Sequence, residues 1–257
     1  MTNAIVVPVR NGIHFTREAI PDMLAQDIGN VDVWVIDNGS MDGTANYIVA
    51  EQAKGAAVYL TRPIRPMSVA ESWNFAIRNL FSDPERGYVL VVNNDVRLRP
   101  DTYRELVAAN LPFATAVGVE TLEQMNEAFV RSDREHPDFS CFLIRRECWE
   151  KVGPFDERYK GGYAEDAAYH ATAFRKGVPL TCIGIPFLHY GSGTIKSANP
   201  AEAQQIREQA DRNRELFRSE FGCVPGTPEY ERLFSESPEP ISTLTVSAPP
   251  STASSQG

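Results

Sequence analysis

The chain is poor in cysteine and has no closely spaced cysteine pair. Only four of its 257 residues are cysteine, at positions 141, 148, 182 and 223, and no two of them form a CxxC motif. Disulfide-rich and zinc-binding scaffolds depend on closely spaced cysteines. We therefore expect free thiols in a reducing compartment and no structural zinc site.

Long apolar runs and an excess of basic residues are also missing. No run approaches the roughly 20 residues that cross a bilayer, and the opening MTNAIVVPVRNG has neither the basic segment nor the cleavable apolar stretch of a secretory signal. We therefore expect a cytoplasmic protein with no integral membrane segment. Lys and Arg number 25 against 34 Asp and Glu, which gives a net charge of −9. This balance argues against a generic binder of the nucleic-acid backbone.

The hydrophobic content of 42% is enough for a globular core, in one large domain or two small ones. Three runs of mostly apolar residues, Ala4–Val9, Val31–Ile36 and Tyr88–Val92, are typical of parallel strands that are covered on both faces. Amphipathic stretches separate them. We predict helices at Thr16–Gln26, with Thr16 as its cap, at Gly43–Ala53 and at Ser68–Leu80. This alternation predicts an open α/β sheet.

The second half has a less regular pattern. The predicted elements there are a strand at Phe139–Ile144, helices at Arg146–Val152 and Asp166–Lys176, a strand at Leu180–Leu188 and a helix at Ala201–Phe221. Trp73 and Trp149 are interpreted as core residues. Residues 236–257 are rich in Ser, Thr and Pro, and we predict a disordered tail from about residue 236.

Polar residues follow each of the three apolar runs. They are RNG at 10–12, DNGS at 37–40 and NND at 93–95. Ligands of open α/β sheets bind in the crevice beyond the carboxyl ends of the strands, so these residues are expected to line one site. The carboxylate of Asp95 is placed there to bind Mg²⁺ or Mn²⁺. The alternative is that Asn93, Asn94 and Asp95 form only a turn.

Two further groups carry possible chemistry. Glu165 and Asp166 stand at the start of a predicted helix, behind two glycines. They serve either as partners of the helix N-terminus or, for one of them, as a general base. His189 follows a predicted strand and precedes a Gly-Ser-Gly loop. It is a metal ligand only if it lies close to Asp95.

Taken together, these elements resemble family 2 glycosyltransferases. The resemblance covers about residues 4–221 and rests on seven motifs in a typical order and spacing: IVVPVRNG, VWVIDNGSMDGT, WNFAI, YVLVVNNDVRLRPD, FLIRRECWEKVGPFDERY, GGYAED and FLHYGSGT. It implies a GT-A fold, with a Rossmann-like, mostly parallel central sheet flanked by helices, a fused acceptor-binding half and the disordered tail. The implied domain is 1–222, divided into a nucleotide-sugar half (1–100) and an acceptor and catalytic half (101–222), followed by an extension at 223–257.

The resemblance also assigns roles to residues. It implies that the donor nucleotide-sugar is bound by Pro8, Val9, Arg10, Asn11, Asp37, Asn38, Asn74, Asn93 and Asn94. Asn38 departs from relatives that carry a second acid there, and only Asp95 remains of the family's DxD element. Asp95 and His189 are the implied metal ligands, for Mn²⁺ or alternatively Mg²⁺. Asp166 is the implied catalytic base, with Glu165 beside it.

The implied reaction is an inverting transfer from a nucleoside-diphosphate sugar. The acceptor is left open among a saccharide, a glycolipid, a protein and a modified nucleic-acid base, and its site is expected in variable loops at about Ala114–Asp138 and in the C-terminal helix. The oligomeric state also stays open. Three other functions compete: a nucleotidyltransferase, an inactive sugar-nucleotide or carbohydrate-binding module, and a hydrolase with paired carboxylates.

Overall fold

A computed structural model describes residues 2–130, 137–191 and 200–235. Within these ranges, eight strands form one sheet in the order β3-β2-β1-β4-β7-β6-β8-β5. The strands are β1 (Asn3–Val9), β2 (Val31–Asp37), β3 (Val58–Thr61), β4 (Tyr88–Val92), β5 (Val96–Arg97), β6 (Phe113–Val119), β7 (Cys141–Arg145) and β8 (Thr181–His189). The first four strands pair in parallel, whereas β7 is antiparallel to both β4 and β6.

Helices cover both faces of this sheet. They are α1 (Ile13–Leu24), α2 (Thr44–Ala53), α3 (Val69–Leu80), α4 (Thr102–Ala108), α5 (Leu122–Met125), α6 (Arg146–Val152), α7 (Glu165–Arg175), α8 (Pro200–Phe221) and α9 (Pro228–Arg232). In the described part of the chain, no helix has the length and apolar character needed to span a membrane.

The alternation of side chains along β1 explains why the sheet needs cover on both faces. Ile5, Val7 and Val9 pack with α1, α2 and α4 in one buried cluster, while Ala4 and Val6 pack with α3, α6 and α7 in a second. Successive side chains of a strand point to opposite faces, so an unbroken apolar run fills both clusters. The predicted α/β sheet with helices on both sides is therefore confirmed.

Some local predictions need correction. Helix α1 begins at Ile13 after Gly12, so Thr16 is not its cap but lies inside it, where its hydroxyl donates to the Gly12 carbonyl. The segment 114–138 is not all loop, because its first residues belong to β6, which lies between β7 and β8. The small residues of FATAVGV do not stand out as a strand, although the segment is almost fully buried.

The C-terminal segment adds a smaller cluster outside α7. Phe217 of α8 and Tyr230 of α9 are buried there together with Ala168 and Ala171 of α7. The described part of the predicted extension, residues 223–235, thus packs on the preceding domain, and we propose to count it with that domain. The predicted disordered tail, residues 236–257, lies outside the described residues.

Candidate active site

The carboxyl ends of β1, β2 and β4 meet at one edge of the sheet, as predicted. Asn11 lies just after β1 with a φ of 59° and joins two neighbouring turns. Its amide N–H donates to the Ser40 hydroxyl over 2.8 Å, and its side-chain oxygen accepts from the Met41 N–H over 2.9 Å. The side-chain amide of Asn94 donates to the Asn11 carbonyl (3.3 Å). Pro8 is half-buried, Val9 is buried and Arg10 is exposed at this edge.

Asp37 is a fully buried carboxylate at the end of β2. One of its oxygens accepts from the Ser40 N–H over 2.8 Å, and the other lies 3.1 Å from Nε of Arg62. Arg62 also donates to the Ser40 carbonyl, and its side chain remains half exposed. Sequence analysis missed this arginine because no motif marks the stretch after β3. It places a positive charge beside the turn whose residues Asp37 and Asn38 are predicted to bind the donor nucleotide-sugar.

Asn38 and Asn74 have their side-chain amides engaged inside the protein. Asn38 donates to the Ser72 hydroxyl over 2.9 Å. Asn74 is 1% exposed. Both of its polar atoms bond to the loop after α6, with donor bonds to the Phe155 carbonyl and the Glu157 carboxylate and an acceptor bond from the Phe155 N–H. Asn74 thus stabilises that loop, and this geometry does not support its predicted contact with the nucleotide-sugar.

Asp95 and His189 come together through strand pairing. His189 is the last residue of β8 and pairs with Val96 of β5, directly after Asp95. The Tyr190 N–H donates to the Asp95 carbonyl over 3.0 Å, which extends the pairing by one residue. Oδ1 of Asp95 and Nε2 of His189 are 3.6 Å apart. The convergence that the metal assignment required is present.

The pair fits a divalent cation. Two ligand atoms bound to one ion at about 2.1 Å each lie about 3 Å apart when adjacent, and further apart at wider angles, so a separation of 3.6 Å falls within this range. A carboxylate and an imidazole together suit Mn²⁺. Among the residues that the structure describes, no cluster of three or more His, Cys, Asp or Glu is arranged for a metal. Ions that bind substrate phosphates commonly use one or two protein ligands and take the rest from phosphate and water.

Glu165 and Asp166 occupy the first turn of α7 behind a backbone in an unusual conformation. Tyr163 and Ala164 have φ values of 78° and 69°, in the left-handed region that residues other than glycine rarely adopt. Glu165 is 6% exposed, whereas Asp166 is half-buried. Burial raises the pKa of Glu165 well above its usual range, and repulsion from Asp166 adds to the rise.

The surroundings of the two acids differ. Burial raises the pKa of the Tyr163 phenol, and the charges of Glu165 and Asp95 raise it further, while the charge of Arg214 lowers it. Burial raises the pKa of the Tyr230 phenol, and the charge of Asp166 raises it further.

A further acid at this edge escaped sequence analysis. Asp138 is 8% exposed and lies one residue before Phe139, where its Oδ1 accepts from the Ser140 N–H. A Cβ on Gly118 would lie 2.7 Å from its other oxygen and 3.6 Å from Cβ of His189. The Ser140 carbonyl in turn accepts from the Asn93 N–H. No sequence pattern marks Asp138 as a site residue, because it lies at the end of the predicted acceptor loops, Ala114–Asp138.

The comparisons with known proteins agree with this geometry. Residues 4–163 match the sequence profile of glycosyl transferase family 2. The chain belongs to this family. It is 25% identical over 180 residues to an uncharacterized glycosyltransferase of Rickettsia typhi, a match that covers 61% of this chain and 54% of the relative. The chain thus spans about half the length of that curated relative.

Solved structures of similar fold include several glycosyltransferases. The mannosyltransferase PcManGT from Pyrobaculum calidifontis, in complex with GDP-Man and Mn²⁺, superposes with a TM-score of 0.62 at 17% identity, over 90% of this chain and 67% of that one. TarS of S. aureus in complex with UDP gives 0.56 at 16% identity, over 85% and 73%. GalNAc-T7 with UDP, GalNAc and Mn²⁺ gives 0.59 at 11% identity, over 91% and 54%. The predicted GT-A fold is confirmed by this likeness.

Proposed function

We propose that the chain transfers a sugar from a nucleoside-diphosphate sugar to an acceptor hydroxyl, with a divalent cation and with inversion at the anomeric carbon. The observation that carries the proposal is the approach of Asp95 to His189 at the sheet edge, where the turns after β1 and β2 also meet. In a member of family 2, this edge is the expected place of the donor. The donor complexes of the structural neighbours support the same class of substrate.

Asp95 and His189 would hold the cation, with Mn²⁺ preferred over Mg²⁺ for the mixed ligand pair. A bound divalent cation neutralises the charge that develops on the departing diphosphate. Two of the neighbours were solved with Mn²⁺, which supports this choice. Arg62 and the turns after β1 and β2 would bind the nucleoside.

Asp166 would act as the general base. It takes the proton from the acceptor hydroxyl while that oxygen forms the new bond to the anomeric carbon, and the bond from this carbon to the diphosphate oxygen breaks on the opposite face. A single displacement of this kind inverts the configuration. A positioned base contributes about 10²–10⁴-fold to the rate. Glu165, whose pKa is raised by burial, is the neighbouring acid that would stay protonated near neutral pH.

A thermal-shift panel tests donor binding. UDP, GDP, dTDP and CDP are each added with Mn²⁺ or with EDTA, and the melting temperature is recorded. A nucleotide at 100 times its dissociation constant stabilises the fold by about 2.7 kcal/mol. We expect one nucleotide to stabilise the protein in Mn²⁺ only. Failure of all four at millimolar concentration would contradict the proposal.

A further inference from the structure

The loop before Glu165 and Asp166 is held by hydrogen bonds from two helices. The side-chain amide of Asn213, on α8, donates to the carbonyls of Lys160 (2.9 Å), Gly162 (3.1 Å) and Tyr163 (2.9 Å). The intervening carbonyl of Gly161 accepts from the Val69 N–H at the start of α3 over 2.8 Å. All four consecutive carbonyls of residues 160–163 therefore have a partner outside the loop.

Asn213 is fixed in the orientation that this contact needs. It is 2% exposed, and its side-chain oxygen accepts from the Gln209 amide over 2.9 Å. An amide group carries only two hydrogens, so three acceptors share them. The Asn213 side chain is buried and the three bonds are partly shielded from water, so a variant without this amide leaves three loop carbonyls without their donor from α8.

The loop needs such support because its backbone is strained. Left-handed conformations at residues other than glycine are strained and persist only where surrounding contacts enforce them. Tyr163 and Ala164 both adopt this conformation, immediately before the two acids of α7. Contacts that enforce the strain therefore also set where these acids lie.

We propose that Asn213 is a positioning residue for sugar transfer: it holds residues 160–164 in the strained conformation that places Glu165 and Asp166. The inference rests on the proposed function and extends it to α8, which lies outside residues 4–163 that match the family profile. Asn213 acts through the loop backbone, so its loss lowers the rate of the chemical step more than the affinity for the donor.

The test compares Asn213→Ala with the matched variant Phe217→Leu on the same helix. Phe217 is fully buried in a cluster with Ala168 and Ala171 of α7 and Tyr230 of α9, so its replacement weakens the attachment of α8 without removing a hydrogen bond to the loop. For each variant, kcat, donor KM and melting temperature are measured, together with amide hydrogen exchange of residues 161–166. Asn213→Ser, which keeps one donor group, serves as a milder second variant.

We expect Asn213→Ala to lower kcat by about 10²-fold, the scale of a misplaced catalytic group, with KM for the donor within about threefold of wild type. Amide hydrogen exchange of residues 161–166 speeds up in this variant. Asn213→Ser lies between the wild type and Asn213→Ala in both kcat and exchange rate. Phe217→Leu keeps kcat within about threefold at a similar loss of melting temperature. If both variants lose kcat in proportion to melting temperature, or if Asn213→Ala keeps wild-type kcat, the proposal is overturned.

Failure of the proposed function gives a different result. If the wild-type protein turns over no nucleotide-sugar in Mn²⁺, the transferase proposal fails, whatever Asn213 does. The hydrogen-exchange comparison between Asn213→Ala and Phe217→Leu still decides whether Asn213 holds the loop, since it needs no substrate.

Discussion

Two consecutive carboxyl groups at the start of α7 have different surroundings. Glu165 is buried and its pKa is raised by burial and by Asp166, whereas Asp166 is more accessible. Neighbouring acids whose environments separate their pKa values commonly divide the roles of proton donor and proton acceptor. On this basis, we propose that Glu165, whose pKa is raised, is the acid that stays neutral and that Asp166 acts as the base.

This assignment makes opposite predictions for the two amide variants. Asp166→Asn removes the base and should lower the transfer rate by about 10²–10⁴-fold. Glu165→Gln resembles a protonated glutamic acid and should keep most of the activity. Initial transfer rates of both variants check this, once their melting temperatures show that both are folded like the wild type. A wild-type rate in Asp166→Asn would show that the base lies elsewhere.

The stability of Glu165→Gln should depend on pH. An acid whose pKa is higher in the folded state than in the unfolded state destabilises the fold increasingly as pH rises above its ordinary value of 4.5. Glutamine does not ionise, so the variant avoids this loss of folding stability. The melting temperature of Glu165→Gln relative to wild type should therefore be higher at pH 8 than at pH 5, and an unchanged difference would mean that Glu165 titrates normally.

At the residue scale, site residues could be predicted from the sequence where they lie at or directly after the end of a strand. Asp95 and His189 were identified from the polar ends of apolar runs and from the family resemblance, and the β5–β8 pairing brings them together. Asn213 could not be predicted in this way. It lies in a polar helix whose sequence does not reveal that one face meets the carbonyls of a distant loop.

At the scale of elements, the N-terminus of α3 connects the turn after β2 to the loop before α7. The Ser72 hydroxyl accepts a hydrogen bond from the Asn38 side-chain amide, and the Val69 N–H donates to the Gly161 carbonyl. Glu71 closes a capping box with Ser68 and also binds Lys160 over 3.1 Å. The start of α3 is thus a common support for both parts of the site.

Glu71→Gln should destabilise the fold in a pH-dependent way. Burial alone would raise the pKa of Glu71, but hydrogen bonds from Arg65, Ser68 and Lys160 outweigh it and lower the pKa from 4.5 to about 2. The ionised form therefore stabilises the fold above pH 4.5, and this contribution is lost as pH falls towards 2. Because Arg65 and Lys160 are largely exposed, we expect a loss of about 1–3 kcal/mol at pH 7.

Denaturant unfolding at pH 7, 5, 4 and 3 measures this difference. The gap between wild type and Glu71→Gln should shrink as the pH is lowered from 4.5. Glu51→Gln is the matched control, because Glu51 of α2 forms an ion pair with the exposed Lys54, and its loss should cost about 0.5 kcal/mol or less. A gap that is the same at all pH values would mean that the carboxylate charge does not matter.

Elements that are buried on both faces were predictable, and those with weak patterns were not. The runs that form β1, β2 and β4 are rich in Val and Ile, so their predicted positions agree closely with the structure. Strand β6 is equally buried but is built largely of Ala, Gly and Thr, and β5 has only two residues. Their places in the sheet follow from tertiary pairing, which a short sequence window does not contain.

For the whole molecule, the C-terminal cluster should contribute to stability. Tyr230 is 3% exposed, and Phe234 stacks on His170 with ring centroids 4.1 Å apart. Ending the chain after residue 222 removes both aromatic side chains and should cost about 3 kcal/mol or more. Ending it after residue 235 should leave the melting temperature almost unchanged, since the composition of 236–257 predicts no core contribution. Equal stability of the two truncations would contradict this.

The most direct test of the account as a whole is the release of nucleoside diphosphate from a panel of nucleotide-sugars, by wild type and by Asp95→Asn. Both proteins are assayed in Mn²⁺ and in EDTA, with folding checked by melting temperature. The account predicts release of one nucleotide by the wild type in Mn²⁺ and almost none in EDTA or with Asp95→Asn. Equal release by the two proteins, or release that persists in EDTA, would contradict the claim that Asp95 and His189 form the metal site of a sugar transferase.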